Sequence, residues 1–184
     1  MRKQTIAAVI VGISIMLVFV PFALAGDSYL SFKGGYFSPS SKGGFQNTDL
    51  NGNTYWEIAV GLDFARFFGT ELSVGYLQPK SDKVDIYSVP VMVSLKAQFP
   101  IAIFVPYLKV GGGGLYTHAN SNLGLGSDSS WNWGYQAGGG IDFRLGPVLL
   151  GLEAKYIAVN TANLNVGDLK MEGVIATGNI GLRF

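Results

Sequence analysis

Cysteine is absent from the 184-residue chain, which excludes a disulfide framework, a thiolate metal site and a cysteine nucleophile. Histidine occurs once, as His118, so a histidine-rich metal centre is excluded as well. Charge is scarce: 14% of residues are charged, thirteen basic against twelve acidic, and no strongly basic face of the kind that grips nucleic acid is available. Beyond residue 25 there is no apolar run long enough for a membrane helix, so any crossing of a bilayer by the remainder requires a closed barrel. Glycine, at 26 residues, and aromatics, at 13%, are what the chain has in excess of a soluble enzyme.

The amino-terminal stretch has three zones. Arg2 and Lys3 are a positive head, Ile6 to Phe22 is an apolar run, and Ala23-Leu24-Ala25 is a small-x-small cleavage site before Gly26. The pattern predicts a cleaved signal peptide over residues 1–25 and a single mature domain over 26–184. An uncleaved anchor helix fits less well, because the polar Gly26-Asp27-Ser28 follows the small residues directly. With no cysteine at the junction, a lipoprotein is excluded. Removal of Arg2 and Lys3 leaves eleven basic residues against twelve acidic.

Past residue 26 the hydrophobic period becomes two. In Trp131 to Arg144 the odd positions read Trp, Trp, Tyr, Ala, Gly, Ile, Phe and the even ones Asn, Gly, Gln, Gly, Gly, Asp, Arg. A pleated strand sends these two sets to opposite faces. Val174, Ala176, Gly178, Ile180, Leu182 and Phe184 repeat the rule at the carboxyl end. Eight such segments are predicted, at 28–37, 54–64, 70–78, 85–98, 104–117, 130–144, 148–159 and 171–184. The first is the weakest, because Tyr29 and Phe37 fall on its polar face. Short turns are expected at 65–69, 99–103 and 145–147, and longer polar loops at 38–53, 79–84, 118–129 and 160–170. Short turns alternating with longer loops on an even strand count predict an all-β fold: an eight-stranded antiparallel up-and-down transmembrane β-barrel.

A soluble barrel would also alternate, with its apolar face inside. Eleven ionisable residues share the less apolar face: Lys33, Glu57, Asp63, Glu71, Lys96, Lys109, Asp142, Arg144, Glu153, Lys155 and Arg183. Exposing a Lys or Arg to lipid at mid-depth costs roughly 2–4 kcal/mol each, so in a membrane this face must be lumenal. Aromatics cluster at the strand ends: Tyr36, Trp56, Tyr76, Tyr87, Tyr116, Trp131, Trp133 and Tyr156 on the loop side, Phe64, Phe99, Phe143 and Phe184 on the turn side. Two girdles mark two membrane interfaces, which a soluble barrel has no reason to carry. The polar face is also rich in glycine, leaving volume beside the long charged side chains.

Several stretches resemble the small outer-membrane β-barrel domain family, the group that includes the OmpA membrane domain, OmpX/Ail and OmpW. Asp63 to Leu72 looks like the family's second strand, turn and third strand. Tyr87 to Lys96 looks like its fourth strand, including Pro90, and Pro106 to Gly111 like its fifth. Phe184, with Leu182, Ile180 and Gly178 behind it, looks like the signal read by the barrel-assembly machinery. The resemblance covers essentially 26–184. It implies a Gram-negative outer-membrane location, with outer-membrane lipid and lipopolysaccharide as surroundings. Barrel-assembly machinery and periplasmic chaperones are the implied partners in biogenesis, and the barrel is expected to be monomeric.

The lumenal charges are the main chemical feature. Five acids and six bases can pair into a polar core that closes the lumen, or into a gate whose pairs rearrange. Asp63, Glu71, Lys96, Lys109, Asp142, Arg144 and Arg183 are expected in the periplasmic half, with Lys33, Glu57, Glu153 and Lys155 nearer the middle. His118, Asp128, Ser129 and Ser130 invite a hydrolase reading, with His118 brought near Ser130. Loop residues of these types are more often solvated turn formers. Asp49, Asp82, Asp85, Asp128 and Asp168 lack the spacing of a calcium loop. The glycine runs 111–114 and 138–140 lack a phosphate-binding context. No catalytic, cofactor-binding or metal residue is therefore assigned and no cofactor is expected. The favoured reading is a structural or narrow porin-like barrel, ahead of a surface interaction protein of the OmpX/Ail kind and, remotely, a lipid A-modifying enzyme.

Overall fold

The computed structural model describes residues 27–40, 53–77, 84–121, 127–159, 162–164, 167–169 and 172–184, with side chains over 27–40, 53–77, 88–117, 131–159 and 172–184. The predicted signal peptide and its cleavage site lie outside the described residues. The strands are β1 (Asp27–Pro39), β2 (Asn53–Ala65), β3 (Phe68–Leu77), β4 (Val84–Gln98), β5 (Phe104–Ser121), β6 (Ser127–Leu145), β7 (Val148–Val159), β8 (Ala162–Leu164), β9 (Gly167–Leu169) and β10 (Glu172–Arg183). Eight of them close a barrel in the order β1-β10-β7-β6-β5-β4-β3-β2, and β8 and β9 form a separate two-stranded ribbon. The seam between β1 and β10 is sealed at its end by reciprocal backbone bonds, Ser28 N–H to Phe184 O at 3.1 Å and Phe184 N–H to Ser28 O at 3.0 Å. The antiparallel eight-stranded barrel read from the sequence is the fold of the chain.

Two loop expectations are corrected. Residues 118–121 and 127–129 are strand, since β5 and β6 stay paired as far as Asn120–Ser127. That segment has no apolar alternation, so its backbone ladder rather than side-chain pattern extends the hairpin. The expected loop at 160–170 contains the β8–β9 ribbon. Elsewhere the ladder between β3 and β4 steps from Val74–Val91 to Leu77–Ser88. Pro90 lies in that interval, and a proline has no N–H to donate.

Following cross-strand partners once around the barrel gives Tyr29, Gly61, Glu71, Ser94, Gly111, Gln136, Ile157 and Gly173, and returns to β1 at Pro39, ten residues above the start. This stagger tilts the strands by about 40°. With a rise of about 3.3 Å per residue, the register fixes the height of every residue along the barrel axis. Tyr36, Trp56, Tyr76, Tyr135 and Tyr156 then fall within about 3 Å of one level, forming an upper belt. Phe64, Phe68, Phe99, Phe104, Phe143 and Phe184 form a lower belt about 20 Å beneath it. Trp133, Tyr116 and Trp131 do not belong to the upper belt, as their expected place in the girdle had it; they stand about 5, 7 and 10 Å above it.

Between the belts the outward face carries no charged side chain among the described residues. It presents exposed apolar groups instead, such as Leu30, Ile58, Leu95, Leu108, Val110, Leu152 and Ile180. Glu172 shares the outward parity but sits above the belt, where it accepts a 3.1 Å bond from the Tyr156 hydroxyl.

Candidate functional site

The lumen is filled at four levels. At mid-depth, three lysines and three glutamates from β1, β2, β3, β5 and β7 meet in one network. Lys33 Nζ lies 3.1 Å from Glu57, 2.8 Å from Glu71 and 3.0 Å from Glu153. Lys109 Nζ lies 2.8 Å from both Glu71 and Glu153. Lys155 pairs with Glu57 and lies 3.4 Å from Glu153. All six side chains are buried. Buried ions of this kind persist only when paired and hydrogen-bonded, because desolvation costs several kcal/mol per ion.

Each glutamate also accepts a bond from one tyrosine. Tyr29 donates to Glu71 at 2.8 Å, Tyr107 donates to Glu153 at 2.8 Å, and Tyr55 donates to Glu57. Each tyrosine lies across an inward glycine: Tyr29 over Gly61, Tyr55 over Gly75 and Tyr107 over Gly140. A Cβ at those glycines would overlap the ring or its hydroxyl, so the glycines make room for the donors. The tyrosines were missed in the sequence. Their signal was there, as Tyr29, Tyr55 and Tyr107 stand on the same parity as the charges, and Tyr29 had looked like a defect of the first segment.

Below the network, Lys96 pairs with Asp142 at 2.8 Å and stands 3.9 Å from the centre of the Tyr107 ring. Asn179 donates to Asp142 at 3.3 Å. At the periplasmic mouth, Arg144 donates to Asp63 at 3.1 Å and to Gln98 at 2.7 Å, and Arg183 lies 3.8 Å from Asp63. The eleven residues singled out in the sequence thus stand in the lumen as two groups and a bridging pair. Glu71 and Lys109 were expected in the periplasmic half. They instead complete the mid-depth network, because the ten-residue stagger raises their partners on neighbouring strands to meet them.

Above the network the lumen narrows to apolar packing, with the buried Ser88 and Thr117 hydroxyls, 3.2 Å apart, on its loop side. Phe37, Tyr55, Leu77, Met92, Leu115, Ile157, Val159 and Ile175 form one buried cluster at the height of the upper belt. Phe37, only 1% exposed, is part of this apolar plug rather than a misplaced residue. The plug had a sequence trace: near the loop ends both parities turn apolar, as in Tyr36-Phe37, Tyr76-Leu77 and Val174-Ile175.

The hydrolase candidates do not assemble as the sequence suggested. His118 is the cross-strand partner of Ser129, Ser130 pairs with Thr117, and Asp128 pairs with Ala119. His118 and Ser130 are therefore one residue out of phase across the ladder. Asp49 and Asp82 lie outside the described residues; Asp85 and Asp168 stand on β4 and β9. The glycine runs 111–114 and 138–140 lie within β5 and β6.

A family model for the outer membrane protein beta-barrel domain matches residues 7–184. No curated protein sequence matches the chain. Among solved structures, the barrel is similar to the neisserial surface protein NspA, at 12% identity, with 87% of this chain and 98% of that one covered and a TM-score of 0.68. It is similar to the outer membrane protein OprG from Pseudomonas aeruginosa, at 18% identity, 87% and 96% coverage and a TM-score of 0.58. It is also similar to the outer membrane enzyme PagL, at 15% identity, 83% and 97% coverage and a TM-score of 0.54. At these identities the likeness is one of fold.

Proposed function

The chain belongs to the outer-membrane β-barrel domain family, and within it we propose a non-enzymatic structural barrel, exported by a signal peptide over residues 1–25, whose resting lumen is shut. The observation that carries this reading is the double closure: an apolar plug at the height of the upper belt stacked on an ion network at mid-depth. A solute would have to part both. An ion entering from the loop side meets an apolar constriction before any charged group among the described lumenal residues, and one entering from the periplasm meets charges held in ion pairs. Fold alone does not decide chemistry, since PagL is an enzyme on the same architecture. The phase mismatch of His118 and Ser130 argues against that nucleophile–base pairing; His118 stands across the ladder from Ser129 instead.

The test is conductance in planar bilayers. Wild-type protein is expected to give no resolved steps. Removing the plug with Phe37→Ala and Leu115→Ala leaves the ion network in place, and replacing Lys33 and Glu71 by Met and Gln leaves the plug, so each pair of changes alone should stay silent. The fourfold variant should conduct. Steady unitary conductance from the wild type overturns the reading.

One observation favours a second reading, a surface interaction protein. The β5–β6 hairpin remains paired to Asn120–Ser127 and so rises about 15–20 Å above the upper belt. Shortening it by joining Thr117 to Ser130 through a two-residue turn should abolish binding of expressing cells to a host surface while keeping the folded barrel. Unchanged binding removes this reading.

A further inference from the structure

We infer that the outward face of the β5–β6 hairpin, where Trp131 and Trp133 stand above the upper belt, is a saccharide-binding platform for the sugar headgroups of the glycolipid outer leaflet. The inference rests only on the outer-membrane placement of the barrel and is independent of whether the lumen conducts.

Height is the first ground. The register puts the two indoles about 5–10 Å beyond the level at which the other strands place their belt aromatics, so they clear the acyl region and reach the headgroup layer. Exposure is the second: Trp131 is 57% and Trp133 69% exposed, the latter the most exposed large apolar side chain among the described residues. Presentation is the third. The Trp131 indole packs over β5 at Gly114, where a Cβ would collide with its ring atoms, and Tyr116 flanks it at 6.3 Å between ring centroids. The indole is thus held against β5 while more than half of its side chain stays exposed, pre-ordered at little further entropic cost.

Charge decides the ligand class. No Lys or Arg stands among the described outward side chains of this hairpin. A phosphate group would find no Lys or Arg among these described side chains, whereas a neutral pyranose ring can lay its C–H face on an uncharged indole. In an outer membrane the adjacent source of such rings is the saccharide portion of lipopolysaccharide, whose sugars lie at this height beside the barrel wall.

The experiment titrates the detergent-refolded protein with deacylated, dephosphorylated lipopolysaccharide core oligosaccharide and follows tryptophan emission and microcalorimetry. Wild-type protein should bind, and Trp131→Leu and Trp133→Leu should each weaken binding about fivefold, the loss expected for one aromatic stacking contact. Trp56→Leu, which removes a belt indole, should bind like the wild type. The heat-modifiable gel mobility of each variant reports that the barrel is folded. Binding unaffected by both hairpin substitutions overturns the proposal. So does binding that disappears when the phosphates are removed, which would assign the surface to an anion, and so does a wild type that ignores the oligosaccharide.

Discussion

The tyrosine–glutamate bonds of the lumen are where single atoms decide most. Tyr107 both donates to Glu153 and offers its ring to Lys96. Tyr107→Phe keeps the ring and loses the bond; since hydrogen bonds to charged groups contribute about 1.5–3 kcal/mol, urea unfolding in lipid vesicles should show a loss of that order. Tyr107→Leu removes the ring as well and should cost more, because a desolvated cation over an aromatic face adds about 2 kcal/mol. Equal stability of Tyr107→Phe and wild type would show that Glu153 is satisfied by its lysines alone. Lys33 is the more severe position, as it touches all three glutamates. Lys33→Met should destabilise by about 3–5 kcal/mol, the cost of leaving buried carboxylates short of a partner.

Strands translate these residues into depth. On β5, Leu108 faces lipid near mid-depth, while on β1, Ser38 faces outward above the upper belt. Leu108→Arg should cost about 2–4 kcal/mol and Ser38→Arg no more than about 1 kcal/mol, measured by the same unfolding. Equal costs would mean that the belts do not mark the membrane. The strands themselves were legible because a period of two survives wherever one face meets lipid, as from Trp131 to Arg144. Legibility failed where the environment is the same on both sides of the ladder. Residues 118–121 and 127–130 carry no apolar alternation in their sequence, so the strand they form reads as loop. At Phe37, Leu77 and Ile175 both faces are apolar, and a search for inward charges passes over the plug. The identity of the ion pairs was beyond reach for a different reason. Lys33 and Lys109 share Glu71 only through the ten-residue stagger, a property of the closed sheet that no single strand carries.

At the scale of the molecule, inside and outside share one axis. The apolar plug sits at the upper belt, the lysine–glutamate network at mid-depth, and the Arg144–Asp63 group at the lower belt. The seal against polar solutes thus stands level with the outer interface, while the charges lie deepest in the low-dielectric slab, where pairing among themselves is strongest. The distance between the belts, about 20 Å, then sets the membrane this barrel fits. A hydrocarbon core thicker than the belt spacing must thin around the protein or pull the Tyr36–Trp56–Tyr76 belt below the interface, at a fraction of a kcal/mol for each ångström of mismatch. Folding yield into vesicles should therefore fall steadily as the hydrocarbon core grows from about 20 Å to about 30 Å, read as the fraction of protein showing heat-modifiable mobility on a gel. Because Trp131 and Trp133 extend the aromatic surface upward on one side only, replacing both by Ser should leave the yield in the thin bilayer unchanged and steepen the fall in the thick one. A yield independent of thickness would detach the belts from the membrane interfaces and, with them, the heights assigned to every layer of the lumen.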